Sequence, residues 1–307
     1  MTTSLKKAET NRRERPQLGE GVSIERIKQR ARARKLREAR LLASRLQVAA
    51  DGTRTFVRFS QAQRLEHQLL MVSFTTLAIT GLLQRYSQYF LPGAIINGLG
   101  GIDTVRTIHH LAALIMIGQS VYHLGQILAT WFVKRERGSM WPYPSDFLNL
   151  FAMLWFNLGL GKERPKFDRF TPEEKIEYWA LLWGTPLMII TGLCLWFPVV
   201  VTRVLPGEAI PIALALHTWE AVLATLAILT WHMYHTLIKE RNYSIFSGKM
   251  TEEQMRHEHP LEYRRIIAAP EHLQKMNGEK EPPAAGPSPD EPSNNKVILK
   301  TPANWIN

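Results

Sequence analysis

The side chains of this chain that are best suited to bind a metal are its histidines. The sequence contains ten of them, and most lie in apolar surroundings. Seven lie in or at the ends of long apolar stretches, namely His67, His109, His110, His123, His217, His232 and His235. Ionisable side chains are costly and rare inside a membrane, so this number indicates a function. Two neutral imidazoles from facing helices can ligate a haem iron from both sides.

The elements that carry these histidines are four apolar stretches. A helix that spans the hydrocarbon core of a bilayer needs about 20 apolar residues. The stretches that approach or exceed this length are His67–Gln84, Thr107–Val133, Tyr178–Thr202 and Ala209–Ile238. Because backbone groups in lipid must be satisfied internally, we predict an all-α protein built on a four-helix transmembrane bundle.

Lysine and arginine in the short loops predict the orientation of this bundle in the cytoplasmic (inner) membrane. Residues 88–104 contain neither residue type, and the loop between the third and fourth stretches contains only Arg203. Cations concentrate at the opposite ends of the stretches, where the cytoplasm retains them. Both termini are therefore expected in the cytoplasm.

This orientation places the histidines at two depths. His109 and His217 lie near the outer ends of the second and fourth stretches, whereas His67 lies at the cytoplasmic end of the first. At the rise of an α-helix, His232 lies about 22 Å closer to the cytoplasm than His217. We therefore predict an outer pair, His109 with His217, and an inner pair, His67 with His232, with one haem for each pair.

The residues alone leave two alternatives open at the inner depth. His123 lies about 21 Å deeper than His109 on the same helix, so it competes with His67 as the partner of His232. Around an α-helix, His232 is rotated by about 60° from His217, whereas His235 lies on roughly the same face as His217. Spacing does not choose between these residues.

Composition divides the chain into four regions. These are a basic cytoplasmic N-terminal extension (1–57), a transmembrane haem-binding domain (58–240), a soluble cytoplasmic tail segment (241–275) and a flexible C-terminal extension rich in Pro, Gly and Glu (276–307). A helix is predicted over Ser23–Val48. The apolar stretch Asp146–Leu160 is too short to span a bilayer and suits an interfacial helix.

Charge and cysteine content narrow the function further. Residues 1–64 hold 17 Lys and Arg against 6 Asp and Glu, which accounts for the net charge of +11. Such a cluster beside a membrane helix attracts acidic headgroups at about 1 kcal/mol per charge, so membrane lipid or a partner subunit is expected there, and nucleic acid is not.

Cys194 is the only cysteine, which excludes an intramolecular disulfide and a cysteine-ligated iron–sulfur cluster. No internal repeat is expected.

Several segments resemble the di-haem cytochrome b subunit (the membrane gamma subunit) of formate dehydrogenases and of related molybdenum- or tungsten-enzyme, thiosulfate reductase and hydrogenase complexes. They are QRLEHQLLMVSFTTLAITG, VRTIHH, RFTPEEKIEYWALLWGTPLMIITGLCLWFP, ALHTWEAVLATLAILTWHMY and SGKMTEEQMRHEHPLEYRRI. Together the resembling segments extend over roughly residues 58–268.

The resemblance implies two haem b groups, the inner one held by His67 and His232 and the outer one by His109 and His217. It assigns no role to His123, which stays a further candidate ligand. It also implies a quinone pocket beside the inner haem. The segment before the third helix would line part of this pocket, which makes Thr171 and Glu173 candidate quinone contacts, although the formate dehydrogenase pattern has Asn and Gly at these positions.

The expected function is that of a membrane-anchoring b-type cytochrome that transfers electrons between a partner oxidoreductase and the quinone pool. Such a chain is an electron-transfer subunit rather than an enzyme alone, and its partners would carry the iron–sulfur, molybdenum or tungsten centres. The rival hypothesis is a haem-free transporter or structural anchor. A transporter of this size would more often show repeated halves or broken helices.

The first prediction concerns topology. A reporter that is active only in the cytoplasm should be active when fused before Met1 or after Asn307, and inactive when inserted near Asn97, because the cation-poor loops face outward. Reporter activity at Asn97 would reverse the assignment of the inner and outer histidine pairs.

Overall fold

The structure, a computed structural model, describes residues 20–133 and 139–278. The flexible C-terminal extension predicted over residues 276–307 lies almost wholly outside the described residues. The helices are α1 (Glu20–Ala43), α2 (Gln61–Arg85), α3 (Phe90–Gly98), α4 (Ile102–Leu128), α5 (Pro144–Asn157), α6 (Pro172–Trp196), α7 (Pro198–Val201), α8 (Ala209–Ala227), α9 (Ser244–Ser247), α10 (Glu252–Glu258) and α11 (Pro260–Gly278). The strands are β1 (Leu46–Val48), β2 (Arg54–Val57) and β3 (Lys249–Thr251).

Within residues 20–133 and 139–278, three helical segments are long and apolar enough to cross a membrane, namely Ile102–Val133, Pro172–Trp196 and Ala209–Lys239. The segment Ile102–Val133 consists of α4 and a π-helical continuation, and Ala209–Lys239 consists of α8 and its π-helical continuation. A fourth span results if α2 and α3, which meet at a bend of 119°, are taken together. The prediction of a mainly helical, multi-pass membrane protein is therefore confirmed, with three or four spanning helices.

Capping residues define where helices α2 and α6 begin. The Ser60 hydroxyl accepts a hydrogen bond from the backbone N–H of Gln63, whose side chain accepts one from the backbone of Ser60. Thr171 and Glu174 form the same reciprocal arrangement at the start of α6. Each of these arrangements is a capping box, which satisfies two backbone N–H groups that have no partner within the helix.

A small antiparallel sheet, in the order β1-β2-β3, departs from the predicted all-helical architecture. The helix predicted over Ser23–Val48 ends at Ala43, and Leu46 pairs with Phe56. The chain reverses between β1 and β2 at Asp51 and Gly52; the Asp51 carboxylate accepts from the Thr53 N–H, and Gly52 has a φ of 83°. Glycine suits this left-handed conformation, which allows the tight reversal between the two strands.

The sheet and the helices packed on it, α1, α10 and α11, form a unit that we call the sheet subdomain. Its core consists of Phe56, Met250, Met255 and Ile266, each almost fully buried. Within this subdomain, α11 extends to Gly278 and packs on α1, so residues from the predicted N-terminal region (1–57) and the predicted tail segment (241–275) lie together.

Glu262 connects the sheet subdomain to the start of α6. It is 1% exposed, and its carboxylate accepts hydrogen bonds from Arg45 at 2.6 Å, Arg58 at 3.2 Å and Arg169 at 3.4 Å. Arg169 also donates to the backbone oxygen of Arg58. Burial, followed by the charge of Arg45, lowers the pKa of the Arg169 guanidinium to about 10. A buried carboxylate is needed to compensate these cations.

Two helical hairpins, α2–α4 and α6–α8, repeat one plan, contrary to the expectation that the chain has no repeat. Their first helices align at a constant separation of 111 residues, which places Glu177 on Glu66 and Tyr178 on His67. The tetrapeptide Ile-Thr-Gly-Leu occurs at 79–82 and again at 190–193 in the same alignment. The two hairpins are therefore structurally comparable position by position.

The second helices of the hairpins align as well. His217 corresponds to His109, and His232 corresponds to His123, although the histidines are 15 residues apart in one hairpin and 14 in the other. The extra residue coincides with the π-helical segment Ile228–His232. A π-bulge accommodates one inserted residue inside a helix, so the equivalence is preserved.

The second prediction concerns the Glu262 cluster. Glu262→Gln should lower the free energy of unfolding by about 3–5 kcal/mol, because buried arginines lose the charge that compensates them. Glu271→Gln on the same helix is the control, since Glu271 is exposed and pairs only with Lys275 in a surface ion pair. Thermal unfolding of the purified protein in detergent compares the two. Equal effects would contradict the prediction.

Candidate functional site

The predicted outer histidines face each other across the two hairpins. His109 on α4 and His217 on α8 have ring centroids 6.5 Å apart and ring planes at 67°. Both imidazoles lie between these two helices, and each helix contributes one of them. The structure thus brings together the two residues that depth alone had paired.

Each outer imidazole contacts a threonine on the first helix of its own hairpin. Nδ1 of His109 lies 2.9 Å from the Thr80 hydroxyl, and Nδ1 of His217 lies 2.9 Å from the Thr191 hydroxyl. Thr80 and Thr191 are both buried. They occupy equivalent positions in the repeated Ile-Thr-Gly-Leu segments, so the contact is duplicated.

A glycine follows each of these threonines and lies against the same imidazole. A Cβ atom on Gly192 would lie 3.2 Å from Cε1 of His217, and one on Gly81 would lie 3.4 Å from Cε1 of His109. The first distance is shorter than an ordinary carbon contact, and the second is at its limit. Glycine therefore provides the space that the ring occupies, most clearly at position 192.

The predicted inner histidines also meet. His67 on α2 and His232, in the π-helical continuation of α8, have ring centroids 6.2 Å apart and ring planes at 33°. Nδ1 of His232 lies 2.7 Å from a carboxylate oxygen of Glu177. Nδ1 of His67 is buried and has no hydrogen-bond partner among the described residues.

The π-helical segment explains how His232 reaches this position. With α-helical geometry throughout, His232 would be offset by about 60° around the helix from His217. A π-helical turn absorbs one residue, so the 15-residue step has the phase of about 14 α-helical residues. His235 instead contacts the backbone oxygen of Trp231 and the amine of Lys239.

His123, the alternative inner ligand, has both ring nitrogens engaged. Nδ1 lies 2.8 Å from a carboxylate oxygen of Glu66, and Nε2 lies 3.1 Å from the Tyr178 hydroxyl. A carboxylate accepts from an N–H, so we assign the proton to Nδ1, and Nε2 accepts from the tyrosine. His123 therefore has no free ring nitrogen in this structure.

The repeat shows what distinguishes His123 from His232. The carboxylates of Glu66 and Glu177 occupy equivalent positions and bind the Nδ1 atoms of equivalent histidines. The aromatic neighbour of these two histidines differs. Tyr178 of the second hairpin lies against His123, whereas the equivalent residue of the first hairpin, His67, lies beside His232. One level of the bundle thus contains one histidine–histidine pair and one histidine–tyrosine pair.

The two predicted quinone contacts, Thr171 and Glu173, lie at the start of α6. The Thr171 hydroxyl caps this helix, accepting from the backbone N–H of Glu174 at 3.3 Å. One carboxylate oxygen of Glu173 is buried without a hydrogen-bond partner among the described residues. These contacts do not test a quinone role, which stays a prediction.

The spacing of the histidine pairs fits one iron between two imidazoles. An imidazole nitrogen binds a transition metal at about 2.0–2.1 Å and lies roughly 1.1 Å from its ring centre, so two in-line ligands have centroids about 6.3 Å apart. The observed 6.2 and 6.5 Å bracket that value. Among residues 20–133 and 139–278, no group of three or more His, Cys, Asp or Glu side chains could hold a metal ion. Bis-histidine haem ligation needs only two.

Sequence reasoning missed the residues that contact the imidazoles, namely Thr80, Thr191, Gly81, Gly192 and Glu177. Taken singly, a threonine or glycine in an apolar helix has no chemical signature. The repeated Ile-Thr-Gly-Leu tetrapeptide was the available signal, because identical small polar motifs in two apolar segments indicate equivalent environments.

Comparison with known proteins agrees with the resemblance described above. No family model matches the chain. The chain is similar to the cytochrome b556(fdo) subunit of formate dehydrogenase of Escherichia coli strain K12, with 21% identity over 220 residues, covering 69% of this chain and 93% of that subunit. The subunits of strains O6:H1 and O157:H7 show the same figures. This distant similarity supports a membrane electron-transfer cytochrome of the formate dehydrogenase type.

The third prediction concerns the glycines. Gly192→Ala should destabilise the protein by about 1–3 kcal/mol, because the new methyl group overpacks the His217 ring. Gly81→Ala should cost less, in keeping with its longer contact. Gly118→Ala on α4 is the control, since a Cβ there meets nothing within 4 Å. Thermal unfolding in detergent measures this order, and a Gly118 effect as large as that of Gly192 would contradict it.

Proposed function

We propose that this chain is a multi-pass b-type cytochrome that binds two haem b groups and transfers electrons between a partner oxidoreductase and quinone. The observation that carries the proposal is the pair of imidazole–imidazole distances, 6.2 and 6.5 Å, at two levels of the bundle. Each distance suits two axial ligands of one iron. The similarity to a cytochrome b subunit supports the same proposal.

In this proposal, His67 and His232 hold the inner haem, and His109 and His217 hold the outer one. Haem, when bound, supplies one-electron redox chemistry. The chain itself supplies the ligand atoms, fixes their separation and surrounds them with apolar side chains. Because α8 and its π-helical continuation carry one ligand of each pair, a single helix sets the spacing between the two levels.

The quinone would bind at the start of α6, near the inner pair. The buried oxygen of Glu173 that lacks a partner supports this assignment, since a polar atom left unsatisfied by the protein can be satisfied by a ligand. The hydroxyl of Thr171 accepts the helix-capping hydrogen bond but can still donate. We propose these two residues as quinone contacts.

The partners would be the other subunits of a redox complex in the cytoplasmic membrane. The relative's name assigns it to formate dehydrogenase, so we propose a partner oxidoreductase with iron–sulfur or molybdenum or tungsten centres. Both termini of this chain, with the sheet subdomain, would face the cytoplasm. The chain alone would be an electron-transfer subunit.

The rival, a haem-free transporter, gains one observation from the structure. Repeated halves are frequent in transporters, and this chain has two equivalent hairpins. The repeat also fits a cytochrome, because equivalent positions in the two hairpins supply the outer ligands. The haem content of the protein decides between the two hypotheses.

The fourth prediction tests this choice. The purified full-length protein should show b-type absorption bands and contain two haems per chain by pyridine extraction. His109→Ala and His217→Ala should remove the same haem, and His67→Ala should remove the other, because each iron needs two axial imidazoles. His123→Ala is the matched control and should retain both haems.

Well-folded protein without haem bands would refute the proposal in favour of a transporter or anchor. Loss of the inner haem in His123→Ala, with retention in His67→Ala, would overturn the inner assignment alone. Electron exchange with a quinol analogue, compared between the wild type and Glu173→Gln, tests the quinone contact separately.

A further inference from the structure

We infer that Thr80 and Thr191 are positioning residues that fix the protonation of the outer imidazoles, so that Nε2 is the nitrogen left to bind iron. The inference rests on the proposed function. It concerns a different property, namely how the protein selects and tunes the ligand atom. Two equivalent threonine–imidazole contacts, one in each hairpin, carry it.

Each threonine hydroxyl has a single proton to donate. The Thr80 oxygen lies 2.6 Å from the backbone oxygen of Thr76, and the Thr191 oxygen lies 2.8 Å from that of Leu187. A carbonyl oxygen can only accept, so the hydroxyl proton must lie between the two oxygens. Each hydroxyl is thereby used as a donor within its own helix.

The hydroxyl oxygen can then only accept from the imidazole at 2.9 Å. The donor is Nδ1–H of His109 in one hairpin and Nδ1–H of His217 in the other. A neutral imidazole carries one proton, so Nε2 has the free lone pair. The threonines therefore determine the tautomer in the same way that hydrogen-bond acceptors orient metal-bound histidines.

Other threonines of the bundle show that the contact is not a general property of threonine in a helix. Thr76 and Thr225 donate to the backbone four residues earlier, at 2.8 and 2.7 Å, but form no hydrogen bond with a histidine. Only at Thr80 and Thr191, among the described residues, does a glycine follow and an imidazole lie alongside. The combination is specific to the outer pair.

The consequence for the iron is electronic. An acceptor on Nδ1–H makes the imidazole a stronger donor through Nε2 and stabilises the oxidised metal. Removing the acceptor should therefore raise the midpoint potential of the outer haem. The inner haem should not respond, because His232 bonds to Glu177 rather than to a threonine.

The experiment compares Thr80→Val and Thr191→Val, which keep the side-chain shape, with Thr80→Ser and Thr191→Ser, which keep the hydroxyl. Redox titration of the full-length, haem-loaded protein, followed by visible and low-temperature EPR spectra, resolves the two haems. We expect each valine variant to raise the outer potential and shift the outer low-spin signal, and each serine variant to match the wild type. Thr76→Val and Thr225→Val are controls that should change neither haem.

An outer potential unchanged in both valine variants, or an equal change in the controls, would refute this inference while leaving the proposed function intact. Absence of haem from the wild type would refute the proposed function itself. Should a valine variant fail to fold, Thr191→Ala against Thr191→Ser makes the same comparison. Identical potentials in that pair would also overturn the inference.

Discussion

The rest of the structure depends on a requirement of buried imidazoles, whose two ring nitrogens must each find a partner. One nitrogen of a neutral imidazole donates and the other accepts, and leaving either unpaired in an apolar bundle is costly. Nδ1 is matched by a side chain on a neighbouring helix in four inward-facing histidines, His109 (Thr80), His217 (Thr191), His123 (Glu66) and His232 (Glu177), whereas Nδ1 of His67 has no hydrogen-bond partner among the described residues. The distribution of these partners decides which nitrogens are left over, and hence where a metal can bind.

The duplicated hairpins explain why the two levels of the bundle differ. At the outer level the repeat is intact, so equivalent histidines meet across the molecule. At the inner level the repeat differs at one position, because the residue equivalent to His67 is Tyr178. The Tyr178 hydroxyl lies against Nε2 of His123, whereas the ring of His232 lies beside the ring of His67. One substitution between the hairpins thus leaves a single imidazole pair at this level.

The sequence predicted the apolar stretches and the two depths of the histidines, because hydrophobic length and helical rise depend on local chemistry alone. Spacing left His67 and His123 as alternatives at the inner depth. The sequence did not predict the phase of His232, because a π-helical insertion leaves no hydropathy signal. The strand β1 was also missed, since three residues are too few for an alternating pattern and the pairing partner Phe56 belongs to β2. Thr80 and Thr191 could be recognised only by comparing distant segments, which single-helix patterns do not do.

The sheet subdomain gives the inner level a support that the outer level lacks. Glu262 holds Arg169 immediately before α6, and the Thr171 cap sets where that helix begins. Glu177 lies six residues after Thr171, about 9 Å further along the axis, where it contacts His232. The orientation of this carboxylate is therefore tied to ion pairs outside the apolar core. The outer imidazoles depend instead on hydroxyls and glycines within the spanning helices, although α6 and the continuous α8 carry residues of both levels.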